Sequence, residues 1–199
     1  MVMKKILLLL AMLPMMCFGQ ENNLKVVDMI VEGTRIIRVS PTGILDHRQF
    51  ASNSVFGEGF VVTVAPVITK TFSSYGKSNQ RISYDLQIPT ASPKPISIAK
   101  NARILLKKED GTNIMLRTIS SDEDNISNGD SYNILPIFGV TLAQLKEIAD
   151  GGISKIRIEY TGAIKNVELK NNKLSAFVKQ AIMKIEEAEK VKDAFLEGF

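Results

Sequence analysis

Side chains suited to catalysis are few in this sequence. The only histidine is His47, which follows Asp46 in a segment typical of a loop, with Pro41 and Gly43. A Ser-His-Asp triad would need Asp46 or another acid and a serine from elsewhere in the chain, and no nucleophile-elbow pattern is present. One histidine also cannot build a His-rich metal centre. The pattern therefore predicts an exposed loop histidine and no catalytic residue.

Four acidic residues between positions 120 and 130 raise the question of a calcium site. They are Asp122, Glu123, Asp124 and Asp130. A calcium loop of the EF-hand type needs oxygen ligands at alternate positions, and Ile126 occupies the place of the third one. The spacing favours a solvated acidic loop over a metal site.

A hydrolase acting on an envelope polymer is an alternative that the sequence leaves open. Two carboxylates that are distant in the chain can face each other across a cleft, and Asp85 and Glu58 are the candidates. The chain has no tryptophan, and most of its four tyrosines alternate with core positions, so flat aromatic platforms for sugars are scarce. The glycines of residues 56–60, FGEGF, do not link a strand to a helix, which argues against a phosphate-binding loop.

Basic side chains gather around a hairpin predicted at residues 102–118. They are Lys94, Lys100, Arg103, Lys107, Lys108 and Arg117. Lysine on a sheet edge blocks pairing with another strand, and we prefer this interpretation to an anion-binding patch. The formal net charge of +4 is not concentrated in a dense Lys/Arg block, so the sequence gives no indication of nucleic-acid binding.

The N-terminus has the proportions of a secretory signal peptide. Lys4 and Lys5 precede the apolar run of residues 6–12, which is too short to span a bilayer. Small residues two positions apart, Cys17 and Gly19, predict cleavage after Gly19. The signal peptide would then cover residues 1–19, and we expect a periplasmic or secreted protein with no transmembrane segment.

The only cysteine, Cys17, decides between a lipid anchor and a removed leader. Lipoprotein signals carry a small residue before the modified cysteine, whereas Met16 stands there in this chain. The sequence thus favours loss of Cys17 with the signal peptide over a lipid anchor. The remaining chain then has no disulfide.

Alternation of apolar and polar residues predicts several short strands with short connections. Strands are expected on both sides of Gly33 and at residues 58–69 and 81–88, with loops at 40–57 and 73–80. Three prolines between 89 and 95 predict a connection or an edge. A strand-like piece containing Pro136 and a further strand at 153–160, with Ile156, Ile158 and Tyr160 inward, complete the series.

The hairpin has two candidate registers around the sequence Glu-Asp-Gly. A three-residue loop with Gly111 in the left-handed conformation pairs Leu106 with Ile114 and Ile104 with Leu116. This register puts all four apolar side chains on one face, whereas a two-residue loop does not. We therefore predict the three-residue loop, because a slip of one residue turns the side chains over.

Two helices are predicted in the last third of the chain. Thr141 and Gln144 form a capping box for a short helix, which Gly151 or Gly152 ends. Apolar residues then recur every three to four positions from 174 to 185, which predicts an amphipathic helix that covers the sheet and buries Ile182 and Ile185. The sequence becomes charged beyond 185.

The predicted fold is α+β and mainly antiparallel β, a sheet or sandwich with one short capped helix and a C-terminal amphipathic helix. We expect one β-rich domain over residues 20–185 and a charged helical tail over 186–199. Three large apolar residues return at the end of the tail and need cover from the domain, from a protein partner or from a membrane surface. They are Phe195, Leu196 and Phe199.

Three features of the sequence occur together: a signal peptide with Gly-Gln at its end, the segment ARILLKKEDGTNIMLR and the segment TLAQLKEIADGGISKIRIEY. This combination resembles an uncharacterised family of small secreted or periplasmic proteins of Bacteroidetes-type bacteria. The likeness covers roughly residues 98–185 and the signal peptide, by motif spacing. These motifs are a hairpin, a capped helix and a strand. The resemblance thus implies the fold and the compartment, and it carries over no catalytic, cofactor-binding or metal-binding residue.

From these observations we expect a non-enzymatic binding or structural module of the envelope or the medium, without a cofactor. The alternative is the envelope-polymer hydrolase with paired carboxylates. A concave pocket with two carboxylates about 5–10 Å apart would favour that alternative.

Overall fold

A computed structural model describes residues 24–42, 46–49, 61–64, 66–92, 97–119, 126–128, 131–161, 163–169 and 172–196. These residues form strands and two helices. The strands are β1 (Leu24–Val31), β2 (Thr34–Pro41), β3 (Asp46–Gln49), β4 (Val61–Val64), β5 (Val67–Ser73), β6 (Arg81–Gln87), β7 (Thr90–Ser92), β8 (Arg103–Lys108), β9 (Asn113–Thr118), β10 (Ile126–Asn128), β11 (Ser131–Ile134), β12 (Ile137–Val140), β13 (Ile153–Tyr160) and β14 (Ala163–Glu168). The helices are α1 (Leu142–Gly151) and α2 (Lys173–Leu196).

Nine strands form one large antiparallel sheet in the order β1-β2-β5-β6-β12-β9-β8-β13-β14. Its edges are therefore β1 and β14. The two helices pack on one side, which we call the covered face, and we call the opposite side the open face. This architecture confirms the predicted α+β class with mainly antiparallel strands. No helix among the described residues is both long and apolar enough to cross a membrane.

Proline residues divide the large sheet from a small one. Three neighbouring strands, β5, β6 and β12, are each separated from a strand of the small sheet by two residues, of which the second is Pro66, Pro89 or Pro136. Proline has no N–H for the ladder, so the pairing stops there. Across these prolines the same three segments of the chain continue side by side, as β4, β7 and β11 of the small sheet. The strand order of the small sheet is β10-β11-β7-β4-β3.

The hairpin β8–β9 has the predicted register. Leu106 lies opposite Ile114 and Ile104 opposite Leu116, and Gly111 has a φ of 87° in the left-handed region. All four apolar residues are buried on the covered face. Pattern thus determined register here, because the alternative would have placed apolar side chains in water.

Helix α1 begins and ends as predicted. The Gln144 N–H donates to the Thr141 hydroxyl at 3.1 Å, and the Thr141 N–H donates to the Gln144 side-chain oxygen at 2.9 Å. Gly152, with a φ of 60°, follows the last turn, while Gly151 is still helical. The C-terminal end of α1 also accepts a hydrogen bond from the hairpin loop, where the Glu109 N–H donates to the Gly152 carbonyl at 2.9 Å.

The core lies between the covered face and the helices. The α2 residues that face it are buried, namely Leu174, Phe177, Val178, Ala181 and Ile185. Each buried Leu, Ile, Phe or Val contributes roughly 1.5–3 kcal/mol. Ile182, which the sequence predicted to be buried, is only partly buried beside this core, because the adjacent Ala181 occupies the centre of the stripe.

A group of charged side chains is buried under the last turns of α2. Arg35 is 1 % exposed, and its guanidinium donates to the Asp28 carboxylate, to the Tyr75 hydroxyl at 3.1 Å and to the Ala188 carbonyl of α2 at 3.0 Å. These contacts tie the β1–β2 hairpin to the helix. Because a buried guanidinium is stable only when it is paired, the site also fixes where α2 lies on the sheet.

Lys70 provides a second tie between the sheet and α2. It is 8 % exposed, its ammonium contacts the Glu189 carboxylate, and it lies 5.2 Å from the centre of the Tyr84 ring. Burial lowers the pKa of Lys70, but the contacts with Glu189 and Tyr84 outweigh it and the pKa is raised. Helix α2 therefore runs across residue 185, where we expected the domain to end, and contacts the sheet beyond it.

The structure differs from the sequence-based predictions at three other places. His47 lies in strand β3, opposite Thr63, and not in a loop. Residues 90–92 are neither a connection nor an edge, because β7 pairs with β11 on one side and with β4 on the other. Strand β14 was not predicted at all, since its sequence AIKNVE has only a weak alternation.

Candidate functional site

The open face carries a regular grid of side chains on β9, β8, β13 and β14. Strand pairing places the residues of each row directly opposite one another. The first row is Asn113, Lys107, Lys155 and Glu168; the second is Met115, Leu105, Arg157 and Asn166. Because side chains alternate along a strand, the buried isoleucines and leucines of these same strands point to the covered face.

A shallow hollow of about 250 Å³ lies on this grid. We call it the basic hollow; it is lined by Leu105, Lys107, Gly111, Asn113, Lys155, Arg157 and Asn166. Three lining side chains are cationic and two are carboxamides. No carboxylate is found among the described residues that line it, and a hollow lined by positive charge attracts anions.

The hairpin loop that contributes Gly111 is held in place from two directions. The Asp110 carboxylate accepts from the Thr112 N–H at 2.8 Å, which closes a tight local turn. The Glu109 N–H donates to the end of α1, as described above. The rim of the basic hollow is therefore fixed by the capped helix that the sequence predicted.

Electrostatic contacts hold two of the three cations. The Arg157 Nε donates to the Asn166 Oδ1 at 2.7 Å, and the Lys155 Nζ lies 3.2 Å from a carboxylate oxygen of Glu168, whose side chain is largely exposed. Within the described part of the chain, the Lys107 ammonium has no hydrogen-bond or ion-pair partner. The hollow thus keeps uncompensated positive charge.

A third row of the grid holds an ion pair next to the hollow. The Arg103 guanidinium donates to both oxygens of Glu159, at 2.9 and 3.1 Å, and the Arg103 N–H donates to the same carboxylate. The Arg103 side chain and then its backbone N–H lower the pKa of Glu159 to about 2. Arg117, opposite Arg103, adds to the positive charge of this side of the sheet.

Edge protection is the wrong interpretation of the basic cluster, because β8 and β9 are interior strands of the large sheet. Instead, Arg103, Lys107 and Arg117 are exposed on the open face. Lys108 points away from them and pairs with Glu147 of α1 at 3.0 Å. Lys100 is exposed in the loop before β8, and Lys94 lies outside the described residues.

A second hollow, of about 660 Å³, is lined by Asp85 together with Ser83, Ile119, Gly139 and Thr141 among other residues. Asp85 is half-buried, and burial raises the pKa of its carboxyl group. It is the single carboxylate among the described residues that line this hollow. Glu58, the other candidate of the hydrolase alternative, lies outside the described residues.

Other candidates from the sequence cannot be placed in a site. Asp122, Glu123, Asp124, Asp130 and the FGEGF segment lie outside the described residues, as does Phe199, and no side-chain position is described for His47, Phe195 or Leu196. In the part of the chain that the structure describes, no three His, Cys, Asp or Glu side chains come together as a metal site would need.

Asn113, Asn166, Lys155 and Arg157 were not singled out by sequence reasoning. The outward positions of the 153–160 strand were predicted, but its neighbours in the sheet were not, and the row partners come from β14, which the sequence did not reveal. Only the register of four strands shows that these side chains share one hollow.

Comparisons with protein-family models, with curated proteins and with solved structures return no match to this chain.

Proposed function

We propose that this chain is an exported, non-enzymatic binding module whose open face is the binding surface. The observation that carries the proposal is the asymmetry of the large sheet. One face is covered by both helices, whereas the other presents a hollow of three cations and two carboxamides in the grid of β9, β8, β13 and β14. A hollow lined by charge of one sign focuses the electric field and raises the local concentration of oppositely charged ligands.

The chemistry of the basic hollow supports binding rather than catalysis. Among its described lining residues there is no serine, cysteine, histidine or carboxylate, and the two lysines are the only side chains of a type that also serves as a nucleophile or a general acid or base. Lysine, arginine and asparagine side chains instead donate hydrogen bonds to oxygen atoms of a ligand. Export is supported by the leader features of the first 19 residues, the charged start and the short apolar run.

The binding surface is tested with two matched methionine variants. Met115 lies on the open face and is 48 % exposed, and Met183 lies on the outer side of α2 and is 54 % exposed. We expect immobilised wild-type protein and Met183→Glu to retain the same component of a cell-envelope extract, and Met115→Glu to lose it. Mass spectrometry should find the retained component unchanged after prolonged incubation. Equal retention by both variants, or a cleaved component, would contradict the proposal.

The hydrolase alternative has one specific observation in its favour, the raised pKa of Asp85 in its hollow. A carboxyl group of this kind can donate a proton to a leaving group, but the mechanism needs a second carboxylate at about 5–10 Å. The alternative predicts release of soluble fragments from an envelope polymer by the wild type, and none by Asp85→Asn. No release of fragments by the wild type would contradict the alternative.

A further inference from the structure

The basic hollow places two ammonium groups directly opposite each other. Lys107 of β8 and Lys155 of β13 are register partners on the open face. Like charges at directly opposite positions destabilise a sheet, so this arrangement is unfavourable in the free protein. An anion between the two groups would remove that repulsion.

A β-bulge produces this juxtaposition. The pairing of β13 with β8 shifts between Ile153, which lies opposite Lys108, and Lys155, which lies opposite Lys107. If the strand continued regularly from the Ile153–Lys108 pair, Ser154 would lie opposite Lys107, and Lys155 would lie opposite Leu106 and face the core. Bulges turn selected side chains to the other face and occur frequently beside functional sites. The irregularity therefore brings a cation to the hollow that a regular strand would not.

Arg157 supplies the third cation in a fixed orientation. It lies two residues beyond Lys155 on the same face, and its Nε is held by the Asn166 Oδ1 at 2.7 Å. This contact leaves the two terminal nitrogens of the guanidinium for another acceptor. A guanidinium held in this way matches the oxygen spacing of a phosphate or a carboxylate.

The charge of the hollow selects among these anions. Lys107, Lys155 and Arg157 contribute three positive charges, and Glu168 beside Lys155 contributes one negative charge, which leaves two positive charges. A phosphate monoester carries about −1.5 to −2 at neutral pH, whereas a carboxylate carries one charge. The volume of about 250 Å³ is smaller than the roughly 300–1,000 Å³ of pockets that enclose a whole ligand.

We infer that the basic hollow binds the phosphate group of a phosphate monoester, with Lys107, Lys155 and Arg157 as its ligands. The rest of the ligand extends over the open face, where Asn113 and Asn166 offer donors and acceptors on either side. This inference rests on the proposed function, since it names the ligand class of the same surface.

The test compares two probes of the same shape and different charge. Methyl phosphate is a dianion at pH 8, because the second pKa of a phosphate monoester is about 6, and methyl sulfate is a monoanion. Each is titrated into the protein that the proposed cleavage leaves, residues 20–199, with amide NMR as the readout. We expect methyl phosphate to shift the amide signals of β8, β13 and the hairpin loop, and methyl sulfate to bind at least about tenfold more weakly.

Matched charge variants distinguish specific phosphate binding in the basic hollow from a general attraction of anions to a positively charged protein. Lys107→Gln and Arg157→Gln should each weaken methyl phosphate binding by about tenfold or more. Lys179→Gln on the exposed side of α2 and Arg38→Gln on β2 remove the same unit charge away from the hollow, and should change binding less than about twofold. The NMR spectra of all four variants also report whether the fold is intact.

Three results would overturn the inference: equal binding of the two probes, signal shifts located elsewhere, or the same loss of binding in Lys179→Gln as in Lys107→Gln. The Met115 experiment gives an independent answer on the proposed function. If methyl phosphate does not bind but retention of an envelope component still depends on Met115, the open face is a binding surface for another ligand class.

Discussion

The guanidinium of Arg35 and the carboxylate of Asp28 form a two-pronged hydrogen-bonded pair across the β1–β2 hairpin, with distances of 3.2 and 3.1 Å. The Arg35 side chain is 2 % exposed and the Asp28 side chain is 20 % exposed, so the guanidinium is buried and the carboxylate is partly buried. Asp28 lies opposite Ile37, one step diagonally from Arg35, so both point to the covered face. A charged pair thus occupies a place where the pattern of the neighbouring strands would put aliphatic side chains.

Removal of Asp28 should destabilise the fold strongly. Asp28→Ala leaves a buried guanidinium without its carboxylate, and we expect the free energy of unfolding to fall by about 3 kcal/mol. Urea denaturation measures the change. The double variant Asp28→Leu with Arg35→Met removes both charges and should be more stable than Asp28→Leu alone. As a control, Asp150→Asn on the exposed side of α1 should stay within about 0.5 kcal/mol of the wild type. A loss below about 1 kcal/mol in Asp28→Ala would show that water reaches the pair.

Stability should depend on Glu159 in acid. The pKa of Glu159 is about 2 in the folded protein, below the ordinary value of 4.5, so its ion pair with Arg103 contributes stability above pH 4.5. That contribution is lost as the pH falls towards 2, because protonation of the carboxylate then costs the folded state its pair. Glu159→Gln should be less stable than the wild type at pH 7, and the two urea midpoints should converge at about pH 2.

The exposed Glu186 of α2 provides the control for this experiment. Glu186→Gln should show the acid dependence of the wild type. If the midpoints of Glu159→Gln and the wild type differ by the same amount at pH 7 and pH 2, the contribution of Glu159 is not electrostatic.

The local parts of the fold were predictable because their signals lie within a few residues. The register of β8–β9 follows from the apolar pattern around Gly111, and α1 follows from Thr141, Gln144 and the glycines after it. The buried positions of β13 follow from strict alternation. In each case a wrong assignment would have exposed apolar side chains or left helix ends without partners.

The errors have a common cause in long-range pairing. Pro89 does end a strand, as expected, but the chain resumes as β7 immediately afterwards, because Pro66 and Pro136 interrupt the neighbouring strands at the same level. The basic cluster was assigned to an edge because strand order is not written in local sequence. The basic hollow combines β8, β9, β13 and β14 through one bulge, and periodicity does not show where an extra residue enters a strand.

The capping box of α1 should contribute measurably to the free energy of unfolding. Thr141→Ala removes the oxygen that accepts from the Gln144 N–H, and we expect a loss of about 1 kcal/mol in the free energy of unfolding. Thr141→Ser keeps an acceptor in the same place and should stay close to the wild type. Thermal and urea unfolding report the difference. Equal stability of the Ala and Ser variants would mean that water satisfies the helix N-terminus just as well.

Truncation at two positions should separate the part of α2 that holds the fold from the part that follows it. The Ala188 carbonyl accepts from Arg35, and Glu189 contacts Lys70, so these two residues are the last described ties between α2 and the sheet. Deletion of residues 192–199 keeps both ties and should change the melting temperature little. Deletion of residues 188–199 removes both and leaves Arg35 and Lys70 underpaired in a buried place, so it should lower the melting temperature by several degrees. Light scattering on the same samples tests the first of two expectations for Phe195, Leu196 and Phe199, which is contact with a protein partner. It predicts that the shorter deletion dissociates an assembly without destabilising the domain. A large drop in melting temperature for the deletion of 192–199, with a monomer before and after, would show instead that these aromatic and aliphatic residues cover the domain itself.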